Sequence, residues 1–83
     1  MQAIAGVKEV LRDTLELDGR AEGFDASTRL FGSLPEFDSM AVVSVVLALE
    51  KRFGITIGED EVSAETFETV GSLATFVDQK QAT

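Results

Sequence analysis

The chain contains no cysteine, no histidine, no tryptophan and no tyrosine, and only one proline. Without cysteine there is no disulfide, no thiolate nucleophile and no sulfur ligand for zinc. Without histidine, imidazole acid–base chemistry is closed, and no serine here can join a Ser–His–Asp triad. The chain is therefore read as a non-enzyme. Basic residues are scarce as well: 7 stand against 15 acids, for a net charge of -8. Nucleic acid and anionic membrane surfaces are held by clustered Lys and Arg, so the acidic balance argues against both as partners. Basic patches on other proteins fit better. Long apolar runs are also lacking. Nothing approaches the roughly 20 residues that cross a bilayer, and no basic segment followed by an apolar stretch marks a signal peptide. A cytoplasmic protein is expected.

What is present is the material of one small core. The 83 residues are 45% hydrophobic and 27% charged, too rich in aliphatics for disorder and too short for two domains. A single domain over 1–83 is expected, with its core at about 3–78 and a flexible tail at about 79–83. The Met1 start and the length suggest a free-standing protein, although an excised module would look similar; a monomer is expected.

Ile4, Val7, Leu11 and Leu15 recur at helical spacing and predict a first helix over 3–17, with Gly19 as its left-handed terminator. Residues 18–37 then change character, with glycines and Pro35 among Phe24, Leu30, Phe31, Leu34 and Phe37. Five large apolar groups are not left in water, so this is read as an ordered loop laid over the core, with a short turn near Asp25. Ser39 to Phe53 predicts a second helix, uncharged until Glu50 and ended by Gly54. Val42, Val45, Val46, Leu49 and Phe53 make one stripe; Met40, Val43 and Leu47 make another. A helix apolar on most of its circumference is expected to be nearly surrounded, which puts both stripes in the core. The alternative for Met40, Val43 and Leu47 is the lining of a cavity for a sequestered chain. Glu59, Asp60 and Glu61 suit the start of a short third helix, there or at Ser63. Thr69 reads as the N-cap of a last helix that turns Leu73, Phe76 and Val77 inward. The expected fold is all-α: a small four-helix bundle, three main helices and one short, with a long structured first loop.

The one conspicuous polar feature is Asp38-Ser39, ahead of the uncharged helix. Either residue can cap free N–H groups there. A serine at a helix N-terminus beside a carboxylate is also well placed to carry a phosphate ester, which the helix dipole favours, while the carboxylate suits a magnesium ion during phosphoryl transfer. With no base to activate it, Ser39 would be the substrate of that chemistry and not its agent. Phe37 has two readings, a hydrophobic staple at the helix start or a shield for whatever Ser39 carries. The acidic run Glu59-Asp60-Glu61 lacks the spacing of a calcium loop; any functional role it has is recognition of basic partners.

Leu34-Pro-Glu-Phe-Asp38-Ser39-Met40 resembles the Asp-Ser-Leu attachment motif of the acyl carrier proteins and their phosphopantetheine-binding relatives, with Met in place of Leu. Leu49-Glu50-Lys-Arg-Phe53-Gly54-Ile55-Thr-Ile57 is similar to the family's second-helix end and following turn, and Thr69-Val70 fits the start of its last helix. The resemblance runs from about Ile4 to Val77. It implies a four-helix carrier in which Ser39 bears a covalent 4′-phosphopantetheine arm, transferred from coenzyme A by a phosphopantetheinyl transferase, with Asp38 assisting. The imported thiol then holds acyl groups as thioesters, so a carrier needs no cysteine of its own.

Where fatty-acid-synthase carriers place acids in the first turns of the second helix, this chain has Ala41 and Ser44. The nearest acid is Glu50, so the docking face reads as more apolar than acidic. Met40, Val43, Glu50, Glu59, Asp60 and Glu61 are the candidate partner-binding residues; no metal site is expected. The reading is a specialised acyl carrier of fatty-acid or polyketide biosynthesis, not the housekeeping fatty-acid carrier. It would be served by acyl-CoA ligases, acyl-ACP synthetases, synthases or acyltransferases. The alternatives are an aminoacyl or peptidyl carrier and an unmodified helical interaction scaffold.

Overall fold

The computed structural model describes residues 3–17, 19, 23–30 and 38–82. Among them stand three α-helices, α1 (Ile4–Leu15), α2 (Ser39–Phe53) and α3 (Val70–Ala82), with one 3-10 turn at Glu59–Glu61 between the last two. This is the expected all-α fold. The short third helix is reduced to that single turn, and the residues after Ser63 form turns that bury Phe67.

Helix α1 lies at the centre and packs against both other helices. Its Val7 and Leu11 are fully buried, as their spacing predicts, while Ile4 and Leu15 are partly covered. Termination differs from the expectation. The left-handed residue is Glu16 (φ 54°), not Gly19, and the Leu17 N–H donates back to the Arg12 carbonyl at 3.0 Å. A left-handed residue with a Cβ costs roughly 1–2 kcal/mol. The early turn drives Leu17 into the core at 1% exposure, and burying a leucine is worth about 1.5–3 kcal/mol. Burial wins.

The described part of the long connection is ordered, as its apolar content requires. Asp25 folds it into a turn by accepting from the Ser27 N–H at 2.9 Å and the Ser27 hydroxyl at 2.6 Å. The chain then runs antiparallel to the start of α3. Leu30 N–H donates to the Glu68 carbonyl (2.8 Å), Val70 N–H to Thr28 (2.9 Å) and Gly71 N–H to Ala26 (2.9 Å). Leu30 is fully buried and Phe24 packs at the edge of the core. Phe31, Leu34 and Phe37, which the same reading puts in that loop, lie outside the described residues.

Thr69 caps α3 as predicted, its hydroxyl accepting from the Ser72 N–H while Ser72 Oγ accepts from the Thr69 N–H, both at 3.0 Å. Leu73 and Val77 are fully buried and Phe76 is partly so. In place of the expected tail from residue 79, the helix runs on to Ala82. Asp78 accepts from the Ala3 N–H at 2.9 Å, and Lys80 reaches Glu61 at 2.9 Å, so the last turns are tied to two other parts of the chain.

The largest departure concerns α2. Gly54 ends it in the left-handed conformation (φ 65°), and Val42, Val45 and Leu49 are buried as expected. Yet Met40, Val43 and Leu47 are 77%, 58% and 61% exposed. The second stripe is not core, and α2 is covered on one side only. The apolar periodicity is real, but among the described residues no further helix packs on that side.

Two glycines mark close approaches between segments far apart in the chain. A Cβ at Gly71 would come within 2.6 Å of the Ala26 carbonyl oxygen, whereas one at Gly6 would meet the tip of the Phe53 ring. Backbone cannot yield as a ring can. Gly71→Ala is expected to destabilise by about 1–3 kcal/mol, the usual cost of overpacking. Gly6→Ala should cost less, since Phe53 can rotate and alanine favours helix. Urea unfolding of the two variants checks the order, and equal stabilities would contradict it.

Candidate functional site

Helix α2 begins at an arrangement that its own sequence dictates. Asp38 is extended (φ -103°, ψ -172°), and its Oδ1 accepts from the Ala41 N–H at 2.9 Å. Of the two residues able to cap, Asp38 does so, a bond worth about 1 kcal/mol. Ser39 is thereby released from capping. It becomes the first helical residue and is exposed, and no described group takes its hydroxyl. The first N–H groups of α2 and the positive end of its dipole lie beside that hydroxyl. A phosphodiester on Ser39 would sit where a helix favours an anion and where no described residue blocks a chain leading into solvent. Phe37 lies outside the described residues, so neither of its readings is placed.

Met40, Val43 and Leu47 continue from Ser39 as one exposed apolar stripe along α2. Beside it an open groove of about 360 Å³ runs between Val42, Val43, Val46 and Leu47 of α2 and Ile57, Glu59 and Val62 of the following segment. Val43 and Leu47 thus belong to both the stripe and the groove mouth. Met40 does not line the groove. The sequence pattern puts Leu47 in the core; its spacing from Met40 and Val43 signals a shared face, but spacing cannot say whether a face is covered.

The acids proposed for partner binding divide in two. Glu59 and Asp60 are exposed. Glu50 turns inward, and its Oε2 accepts from the Ile57 N–H at 2.8 Å. Glu61 accepts from the Gly58 N–H at 2.9 Å and binds the Lys80 ammonium through both oxygens at 2.9 and 3.0 Å. These two carboxylates are half-buried and engaged in bonds within the chain. Among the described residues no set of three acids gathers as a metal site, and no helix is long and apolar enough to cross a membrane.

Comparison with known proteins agrees with this geometry. Residues 5–77 match the family of the phosphopantetheine attachment site. An acyl carrier protein of Petrotoga mobilis is 34% identical over 74 residues, covering 89% of this chain and 81% of the relative. One from Arthrobacter is 28% identical over 81 residues, covering 98% and 94%. The solution NMR structure of a holo acyl carrier protein from Nitrosomonas europaea superposes over the whole of both chains with a TM-score of 0.94 at 48% identity.

The chain belongs to the phosphopantetheine-binding acyl carrier protein family. It is a carrier and not an enzyme, and its cofactor is 4′-phosphopantetheine, covalently bound. Its partners are the transferases and synthases that such carriers serve.

The Gly58 N–H bond, and after it the Lys80 ammonium, hold the Glu61 carboxyl below the ordinary glutamate range. Both favour the ionised form, so their contribution to stability is present above that range and is lost as pH falls through the lowered value. The melting-temperature gap between wild type and Glu61→Gln should therefore be open at neutral pH and close on acidification. Thermal unfolding across a pH series checks this; a gap independent of pH would contradict it.

Proposed function

We propose that Ser39 carries the 4′-phosphopantetheine arm and that Asp38 assists its attachment, within a single carrier domain acting in the cytoplasm. One observation supports this above the rest: Asp38 takes the capping role and leaves the Ser39 hydroxyl exposed at the N-terminus of α2. Asp38 fixes the first turn and supplies a carboxylate for magnesium during transfer from coenzyme A by a transferase. The bound arm supplies a thiol that holds acyl groups as thioesters. The protein's own part is to present that thiol to successive partners at high local concentration. The groove along α2, apolar except for Glu59 at its edge, is the shelter for an acyl chain between visits.

The exposed stripe supports a specialised carrier. From Met40 to Leu49 α2 bears no charge, so a partner approaching Ser39 along this helix meets Met40, Val43 and Leu47 before any acid. Docking then depends on apolar anchors and responds weakly to salt, unlike binding between acidic and basic surfaces. Such a face suits a dedicated acyl-CoA ligase, acyl-ACP synthetase, synthase or acyltransferase, in a pathway distinct from housekeeping fatty-acid synthesis. Glu59 and Asp60 add a secondary acidic contact at the far edge of the groove.

Intact mass tests the attachment. Incubated with coenzyme A, magnesium and a broad-specificity phosphopantetheinyl transferase, the unmodified protein should gain one arm, and Ser39→Ala should gain none. An arm on Ser39→Ala would overturn the assignment. The rate of the same transfer tests the docking face. Leu47→Ser should lower kcat/KM by about tenfold, the loss expected of an apolar anchor worth 1.4 kcal/mol, mainly through KM. A strong dependence on salt with no effect of Leu47→Ser would contradict apolar docking.

A further inference from the structure

The two sides of the α2 groove are built differently. Val42, Val43, Val46 and Leu47 stand on a continuous helix. The opposite wall, Ile57 to Val62, is a short segment whose own backbone bonds are the two of a single 3-10 turn. Its position therefore depends on what it is tied to. Ile57 is buried and Val62 packs at the edge of the core, but the polar ties are few and specific. At one end the Ile57 N–H is held by Glu50 of α2 at 2.8 Å. At the other, Glu61 receives the Gly58 N–H at 2.9 Å, grips Lys80 of α3 through both carboxylate oxygens, and accepts at its carbonyl from the Thr66 hydroxyl at 3.4 Å.

The Glu61–Lys80 pair is not an ordinary surface ion pair. The two side chains are only 33% and 25% exposed, so water screens them less than it does a fully solvated pair. Lys80 takes no part in lining the groove; it borders a separate polar cleft with Phe53, Gly54, Ile55 and Thr56. Its hold on the groove is mechanical, through Glu61 to the wall. Gly54, left-handed at φ 65°, stands ahead of the stretch that leads into the wall and gives the segment a joint where it can turn.

We propose that the Glu61–Lys80 pair is a latch that sets the distance of the wall from α2, and so the length of acyl chain the groove holds. Lys80 is a positioning residue that acts on the chain without touching it. The proposal rests on the reading of the groove as the shelter of the tethered acyl chain. Closed, the latch keeps the wall against α2 and favours short and medium chains. Released, it lets the wall swing outward and admit longer ones.

The test uses the full chain carrying octanoyl or tetradecanoyl groups on its arm, installed by transfer from the corresponding acyl-coenzyme A. Wild type, Lys80→Met and Lys80→Arg are compared by amide hydrogen exchange and by the methyl NMR shifts of Val43, Val46, Ile57 and Val62. In wild type the octanoyl chain should move those methyls more than the tetradecanoyl chain does. In Lys80→Met the Ile57 and Gly58 amides should exchange about tenfold faster, as expected of a locally opened segment. Amides at the centre of α1 should keep their rates, and the tetradecanoyl chain should give the larger shifts. Lys80→Arg, which can still pair with Glu61, should restore the wild-type pattern.

An unchanged order of chain lengths in Lys80→Met, with the wall amides loosened, would overturn the latch while leaving the groove as shelter. Methyl shifts that ignore the acyl group at both lengths in wild type would remove the shelter reading, and the latch with it. Equal acceleration at α1 and at the wall would mean that the pair contributes only to general stability, which also overturns the proposal.

Discussion

The structure depends on a short antiparallel seam in which the first connection is bound to the start of α3 by three backbone hydrogen bonds. A long segment between helices costs chain entropy, and its polar backbone must be satisfied wherever it passes over a core. Here the same bonds serve both sides. Val70 and Gly71, among the first N–H groups of α3, find the carbonyls of Thr28 and Ala26, and the Leu30 N–H finds that of Glu68. Because Gly71 has no Cβ, the two backbones come close enough to pair. With the seam in place Leu30 reaches the core and the connection is pinned before it leads on toward α2.

From that seam to the site the charge of the chain is put to two uses. Some acids are acceptors for the backbone: Asp25 closes a turn, Asp38 caps α2, Glu50 holds Ile57, and Glu61 holds Gly58 and Lys80. Each satisfies an N–H outside a regular ladder, which a chain with so many loops and so little length requires. Others, such as Glu59 and Asp60, stay in water and contribute to the negative field. The exposed face of α2 beside Ser39 is left without charge. Under the proposed attachment at Ser39, a partner reaching the arm along this helix meets an apolar surface first.

Much of this was legible in the sequence. The helix stripes of α1 and α3, the Thr69 cap, the Gly54 stop and the Asp38-Ser39 junction all rest on short-range rules about spacing, capping and backbone freedom, and they appear where those rules put them. The family resemblance, carried by residues in order along nearly the whole chain, was legible for the same reason. The errors were of one kind. Local rules point to Gly19 as the terminator because glycine enters the left-handed region cheaply; α1 ends at Glu16 instead because Leu17 has a core to enter. Apolar periodicity alone puts Met40, Val43 and Leu47 inside, whereas in the fold they stay exposed.

Local composition therefore determined which segments are helical, where most of them stop, which residue could be modified and which chemistries are impossible. Tertiary structure alone decided which apolar stripe is covered, which acids face inward, and that the last helix continues past residue 79 because Asp78 and Lys80 find partners far away in the chain. The physical reason is range. Capping and periodicity act over three or four residues, so the sequence displays them directly. Burial and charge pairing depend on what another segment brings near, as Ala3 does for Asp78 and Lys80 for Glu61, and no spacing within one helix records that neighbour.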